Sequence, residues 1–388
     1  MDAIQGKLLQ LAQISLGHRT RFDAVPDESE WWAILEEAEK QKLTSFLFTG
    51  VDRLEDDQTA PFKPRARFTA RAFQIAPKNA ALDERAAELS SILAGMGRAS
   101  CILKGQGTAQ LYEFPERRQC GDIDIWVEGD TESTVALLRS RWPVGNVVYH
   151  HAEVGVFKGT EVEVHFHPTW MNEPSANHRL QQYFEARAGK GFSHFGEVKG
   201  FKVPDTEFNL VFSLVHIFRH IFFEGIGLRQ LVDYCHILKH STAEERAAAY
   251  AFLQSIHLEK FCAALMWIMR ECLGLGADGN GSGTLSGGES HAPEAADRTT
   301  GPADGMLLCP PDEKRGRAIM ESVFEGGNFG RHDKRNAGKE GQGLLARIIR
   351  IARLRSRFAL SYPREIFWSP YFKTRQYLWR RRHGYIRH

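Results

Sequence analysis

A chain of 388 residues, 43% hydrophobic and 25% charged, has the composition of a globular protein and is long enough to bury two cores of ordinary size. Its formal net charge of +2 gives the chain as a whole no bias toward nucleic acid or a membrane surface. Six scattered cysteines with no C-x-x-C pair argue against a disulfide frame or a zinc site, and predict reduced thiols and a cytoplasmic location.

The N-terminus, MDAIQGKLLQLAQ, shows no basic stretch before an apolar run, so no signal peptide is expected. Residues 1–95 read as a helical N-terminal region. In DESEWWAILEEAEKQKL (27–43) acidic residues and Ser open a helix on which Trp32, Leu35 and Ala38 recur at helical spacing. KNAALDERAAELSSILAGMG (78–97) is a second helix, rich in Ala, Leu and Glu and ended by Gly.

Residues 96–204 change character and predict an α/β core. SCILKG is a short buried strand closed by Gly, QGTAQLYEF a short helix, and GDIDIWV (121–127) a strictly alternating strand. TESTVALLRSRW returns to helix, and VVYHHAEVGVFKGTEVEVHFHP predicts strands around a turn at Lys158-Gly159-Thr160. From 205 to 272 helices dominate again. The apolar stretch 209–227 is interrupted by His216, Arg219, His220 and Glu224, which marks a buried helix and not a transmembrane segment. Residues 273–310 form a Gly/Ser-rich insertion too poor in large apolar side chains to offset its ordering entropy, and disorder is expected there. Residues 311–388 are helical with a basic tail. From Gly343 onward eleven Arg and one Lys face a single acid, Glu365, so the tail is near +11 and the rest of the chain near −9.

Two strands share one plan. In GDIDIWV, Ile123, Ile125 and Val127 point one way and Asp122 and Asp124 the other. In TEVEVHFHP, Val162, Val164 and Phe166 face one side, and Glu161, Glu163, His165 and His167 the other. If the strands are neighbours, Asp122, Asp124 and Glu163 converge, and carboxylates that close repel one another unless a cation sits between them. All-oxygen ligation suits Mg²⁺ or Mn²⁺ beside substrate phosphates. A sheet with one solvated face accounts for the same alternation without any function. Upstream, ILKGQGTAQLY (102–112) runs a buried strand through Lys104-Gly105 into a helix start, where Gly lets a phosphate approach backbone N–H groups and Lys adds a positive charge.

ILKGQGTAQLYEFPERRQCGDIDIWV, followed by VEVHFHP, resembles the uncharacterised nucleotidyltransferase family within the DNA polymerase β-like superfamily. The shared features are an L-K-G strand–helix junction, a Y-x-x-P-x-x-R spacer (Tyr112, Pro115, Arg118), a D-I-D strand and a V-E-x-H strand. FSLVHIFRHIFFEGIGLRQLVDYCHIL (212–238) resembles the family's helical half, and EGGNFGRHD (325–333) another of its segments. The resemblance implies an α+β fold: a nucleotidyltransferase-type mixed sheet flanked by helices, with helical N- and C-terminal regions. It implies an NTP substrate, with Asp122 and Asp124 on Mg²⁺ or Mn²⁺ and Glu163 completing the metal site or acting as general base. Lys104 and Gly105 would contact the β/γ phosphates. Arg229, on a helical half that closes over the nucleotide, would reach a phosphate, or pair with Asp233 one helical turn on. The implied reaction is transfer of a nucleoside monophosphate to a hydroxyl of a small molecule or protein.

Two rival readings stand beside this one: a nucleotide-binding regulatory protein without turnover, and a toxin-like nucleotidyltransferase acting on tRNA or a protein partner. His216 and His220, four apart on an apolar helix, read as core or pocket-lining histidines before metal ligands. In the tail, Arg347, Arg350, Arg353 and Arg357 recur at helical spacing. Packing against the acidic body is the favoured expectation, with an anionic membrane and nucleic acid as the alternatives.

Overall fold

The computed structural model describes residues 1–119, 121–223, 225–276, 303–327 and 361–386. Most of the 273–310 insertion, most of the 325–333 segment and the arginine repeat at 347–357 lie outside these residues.

Three helices open the chain: α1 (Ala3–Leu16), α2 (Glu28–Lys40) and α3 (Thr44–Arg53). The first two begin with reciprocal caps, Asp2 with Gln5 and Asp27 with Glu30, which satisfy backbone donors at each start. On α2 the residue that enters the core is Trp31, fully buried, while the expected Trp32 is 39% exposed. The core stripe is Trp31, Ile34, Leu35 and Ala38. Helix α4 (Phe62–Gly95) is longer than the expected 78–97 helix and carries Pro77 in its interior. It stays continuous past this proline because Phe68, Ala72, Leu82, Ala86, Leu89 and Leu93 bury successive turns.

The sheet follows. Its strands are β1 (Ser100–Leu103), β2 (Asp122–Val127), β3 (Val144–Val147), β4 (His151–Val154) and β5 (Glu161–His165), in the order β1-β2-β5-β4-β3. β2 and β5 run parallel; the other neighbours are antiparallel. The sheet is thus mixed and flanked by helices, the α+β architecture expected. Helix α5 (Gly105–Ala109) joins β1 to the spacer, and α6 (Thr131–Arg139) packs behind the sheet. Helix α7 (Pro174–Ala188) and the hairpin β6 (Gly196–Val198) with β7 (Phe201–Val203) lead into the helical half. That half comprises α8 (Thr206–Phe223), α9 (Leu228–Lys239), α10 (Ala243–Ser255), α11 (Glu259–Trp267) and α12 (Glu313–Gly326). A C-terminal helix covers Pro363–Arg382.

The sheet is a wall between two cores. Ile123, Ile125, Val127, Val162, Val164 and Phe166 face a smaller core closed by Leu82, Ala86, Leu89 and Leu93 of α4 and by α6. Leu103 and Trp126 face the larger core, built chiefly from α1–α3 and α8–α12. Asp122 and Asp124 alternate with those isoleucines and so share the face of Trp126. No described helix is long and apolar enough to cross a membrane. The described cysteines Cys101, Cys235, Cys262, Cys272 and Cys309 are free and buried.

Candidate active site

The register of the parallel pair builds the site. Asp122 lies beside Glu161 and Asp124 beside Glu163, so three of the expected site residues share one sheet face. The antiparallel neighbour β4 adds His151 opposite His165 and Glu153 opposite Glu163. Part of this face is solvated: Glu161 and Glu153 are exposed, whereas Asp124 and His165 are each 2% exposed. A solvated face does not account for the latter two, and their buried charges must be compensated within the protein.

Lys104 supplies the first compensation. Its ammonium lies 2.9 Å from Asp124 Oδ1. Burial opposes its charge, but Asp124, Glu163 and Asp122, in that order, hold its pKa above the usual lysine value. The ammonium therefore sits in the field of all three carboxylates, but they do not form one cluster: Asp122 and Asp124 line a cleft with Lys104, and Glu163 groups with His151 and His165. The backbone here is strained: Lys104 has φ 46° and ψ −142°, outside the regions open to a residue with a Cβ. Gly105 follows with φ +35°, and a Cβ there would lie 3.6 Å from the carbonyl oxygen of Asp122.

His165 supplies the second. Its Nε2 is 3.0 Å from Asp124 Oδ1 and 3.5 Å from Glu163 Oε2. Burial works against the imidazolium, yet hydrogen bonds to Asp124 and Glu163 raise its pKa above the usual histidine value. Asp124 responds in the opposite sense. Burial pushes it up, and Lys104 and His165 outweigh that and hold it far below the carboxylate range. Asp122 has no such partner; the charge of Asp124 and then burial raise its pKa.

Sequence reasoning missed His151. Its Nδ1 is 3.1 Å from Glu163 Oε2 but too far off axis to form a hydrogen bond, and this buried atom has no other partner. Burial lowers its pKa to about 4, so the imidazole is neutral. His151, Glu163 and His165 each offer a ligand atom, and these atoms lie within 4.8 Å of one another. The separations of 3.1 and 3.5 Å match those between ligands about 2.1 Å from one ion. The signal was legible only as an alternating His151-x-Glu153 on the strand beside β5. Glu163, His165 and the orphaned neutral imidazole of His151 thus fit a divalent cation, and Asp122 and Asp124 line the neighbouring cleft with Lys104.

A cleft opens beside Asp122 and Asp124, lined also by Lys104, Gly105, Ser213, His216, Arg229 and Gln230. Arg229 does not pair with Asp233, the structural ion pair that their spacing suggested. Its Nη1 donates to the Gln119 carbonyl at 2.6 Å, and its Nε has no hydrogen-bond partner. Asp233 is taken instead by Arg118, through two bonds of 2.7 Å, and by the Tyr112 hydroxyl at 2.6 Å. Tyr112 and Arg118 are the ends of the Y-x-x-P-x-x-R spacer, so the spacer's role is to clamp the sheet to α9.

His216 lines the cleft and lies edge-on to His220, with ring centroids 4.3 Å apart; burial keeps His216 neutral. His167 stacks on Tyr149 at 4.7 Å, away from the carboxylates.

The comparison with known families agrees with this geometry. A family model described as uncharacterised nucleotidyltransferase matches residues 27–274, from the start of α2 to just past α11. No curated protein matches the chain.

Proposed function

The chain belongs to the uncharacterised nucleotidyltransferase family, and on that premise we propose that it transfers a nucleoside monophosphate from an NTP to an acceptor hydroxyl, using a divalent cation. The observation that supports this most is the Lys104 ammonium 2.9 Å from Asp124 Oδ1, in a cleft that Asp122 also lines. Nucleotidyl transfer needs positive charge at that place.

Asp122, Asp124 and Glu163 would hold Mg²⁺ or Mn²⁺, with His151 and His165 adding imidazole nitrogens that favour Mn²⁺. When bound, such an ion polarises the phosphoryl oxygens and stabilises charge on the entering and leaving oxygens. The protein's own groups do the rest. Lys104 and Arg229, with an unused Nε, neutralise the triphosphate; Gly105 lets it approach the backbone.

The acceptor oxygen attacks the α-phosphorus and forms a new P–O bond as the bond to the bridging oxygen breaks. Pyrophosphate leaves with that electron pair, and the hydroxyl proton passes to a carboxylate, a role open to Glu163 if it does not hold the ion.

The test is incubation with α-³²P-labelled NTPs, Mg²⁺ or Mn²⁺ and host lysate, comparing wild type with Asp122→Ala/Asp124→Ala. Label should move to an acceptor with wild type alone. Absence of both transfer and nucleotide binding in the wild type would sink the reading.

A further inference from the structure

The C-terminal helix has two faces of different chemistry. Its inner face carries Glu365, Ser369, Phe372, Gln376 and Trp379 at helical spacing, all turned toward the protein. Glu365, the single acid after Gly343, is spent there. It is 5% exposed and accepts from Arg219 and from the backbone N–H of Asn172. The outer face therefore has no acid at all. Arg375, Arg381 and Arg382 are exposed on it, beside Phe367 at 74%, Tyr371 at 50%, Tyr377 at 54% and Leu378 at 58% exposure.

Exposed aromatic rings cost solvation unless something covers them, and rings interleaved with cations suit one class of ligand. Nucleobases stack on the rings while phosphates pair with the cations. A membrane-surface helix has a different layout, with apolar and basic residues on opposite faces. Here one apolar side is packed against the protein, and on the other Leu378 and the rings lie among the cations instead of on a face of their own.

The helix is also placed next to the site. Phe372, on its inner face, stacks on Trp170 with ring centroids 6.2 Å apart and meets Tyr149 at 5.4 Å. Trp170 stacks on His150 at 4.1 Å, and His150 lies 4.2 Å from His151 and 5.6 Å from His165. Two aromatic layers separate the cationic helix from the cluster that would hold the cation.

We propose that the outer face of the C-terminal helix binds single-stranded nucleic acid, and that this strand carries the acceptor hydroxyl. The second half of the proposal rests on the nucleotidyl-transfer reading; the first does not. The acceptor is then a polynucleotide, and the transfer joins a nucleoside monophosphate to one of its hydroxyls with loss of pyrophosphate, as balanced above. Sequence-tolerant binding follows, because every base has a face to stack.

The experiment uses the full chain, fluorescein-labelled 12-nucleotide RNA and DNA strands, and fluorescence anisotropy at several salt concentrations. Both strands should bind, and three arginines predict a slope of log K against log[salt] of about −2. Phe367→Ala/Tyr371→Ala should weaken binding by about tenfold or more. Arg375→Glu/Arg381→Glu/Arg382→Glu should abolish it, with the unfolding transition and NTP binding of both variants unchanged. No strand binding by wild type at low salt, or binding indifferent to both variants, overturns the proposal. So does preferential capture by phosphatidylserine–phosphatidylcholine vesicles over the strands. If strands bind as expected but NTP does not, the docking surface stands and the transfer reading falls. If NTP binds and labels another acceptor while strands do not bind, the transfer reading stands and this inference falls.

Discussion

Arg118 and Asp233, 115 residues apart, are joined by two parallel bonds of 2.7 Å, and this buried pair ties the segment before β2 to helix α9. Removing one partner leaves the other charged and buried, which typically costs about 3–5 kcal/mol. Arg118→Ala and Asp233→Ala should each lower stability by about that amount in urea unfolding. The double variant Arg118→Met/Asp233→Leu should recover a substantial part. A coupling energy near zero in the cycle of Arg118→Ala, Asp233→Ala and Arg118→Ala/Asp233→Ala would show that the clamp is not a unit.

The same pair sets an acid limit. Burial pushes the Asp233 carboxyl up, but Arg118 and the Tyr112 hydroxyl outweigh it, so its folded-state pKa lies below the unfolded value. Its contribution is therefore complete above the unfolded carboxylate value of about 4 and is lost as pH falls through the folded one. The urea midpoint of wild type should drop between pH 5 and pH 3, and Asp233→Asn should flatten that part of the profile. An unchanged slope would assign the acid loss to other carboxylates.

Lys104 competes with any cation for Asp124. Lys104→Met should destabilise the metal-free protein, because three carboxylates lose their shared counter-charge. It should also enlarge the rise in melting temperature on adding Mn²⁺, because the ion no longer displaces an ammonium. NTP affinity should fall in the same variant. A smaller Mn²⁺ effect than in wild type would contradict the placement of the cation among these carboxylates.

His151 tests which donors hold the ion. His151→Ala should weaken Mn²⁺ binding by about tenfold in titration calorimetry and leave the weaker Mg²⁺ binding nearly unchanged, since imidazole favours the transition metal. Glu163→Gln should weaken both. Equal effects of His151→Ala on the two ions would restrict the site to oxygen donors.

Gly50 gives a test away from the site. A Cβ there would meet the Leu11 carbonyl oxygen at 2.9 Å and Ser15 Oγ at 2.5 Å, where α3 crosses α1. Gly50→Ala should destabilise by about 1–3 kcal/mol through overpacking, despite alanine's better helix propensity. A stabilised variant would mean that α1 can move aside at little cost.

These residues also show what was legible beforehand. The two-faced strands could be read because side-chain alternation has a period of 2 and both strands obey it for five residues or more. The positions of Lys104 and Gly105 could be read because a buried strand ends where a helix begins. The partner of Asp233 could not, since helical spacing favours Arg229 and only the tertiary fold brings Arg118 alongside. His165 was equally hidden: alternation says which side a residue faces, not whether a helix covers that side. The first half of α4 was obscured by prolines at 64 and 77, whose local cost is outweighed by burial along the helix. Trp31 and Trp32 are adjacent, and a spacing argument cannot choose between neighbours when both are aromatic.

The placement of the last helix has one more consequence. β3 ends the order β1-β2-β5-β4-β3, so among the described residues one side of its backbone has no strand to pair with. An open edge of this kind is a template for pairing with another molecule. The C-terminal helix lies against it: Arg380 donates to the Asn146 side chain at 2.6 Å, and Tyr385 is buried in the smaller core. A chain cut before residue 363 would keep its carboxylates and its clamp, yet present a bare strand edge to its own copies. Such a shortened chain should therefore self-associate at lower concentration than the full one in sedimentation.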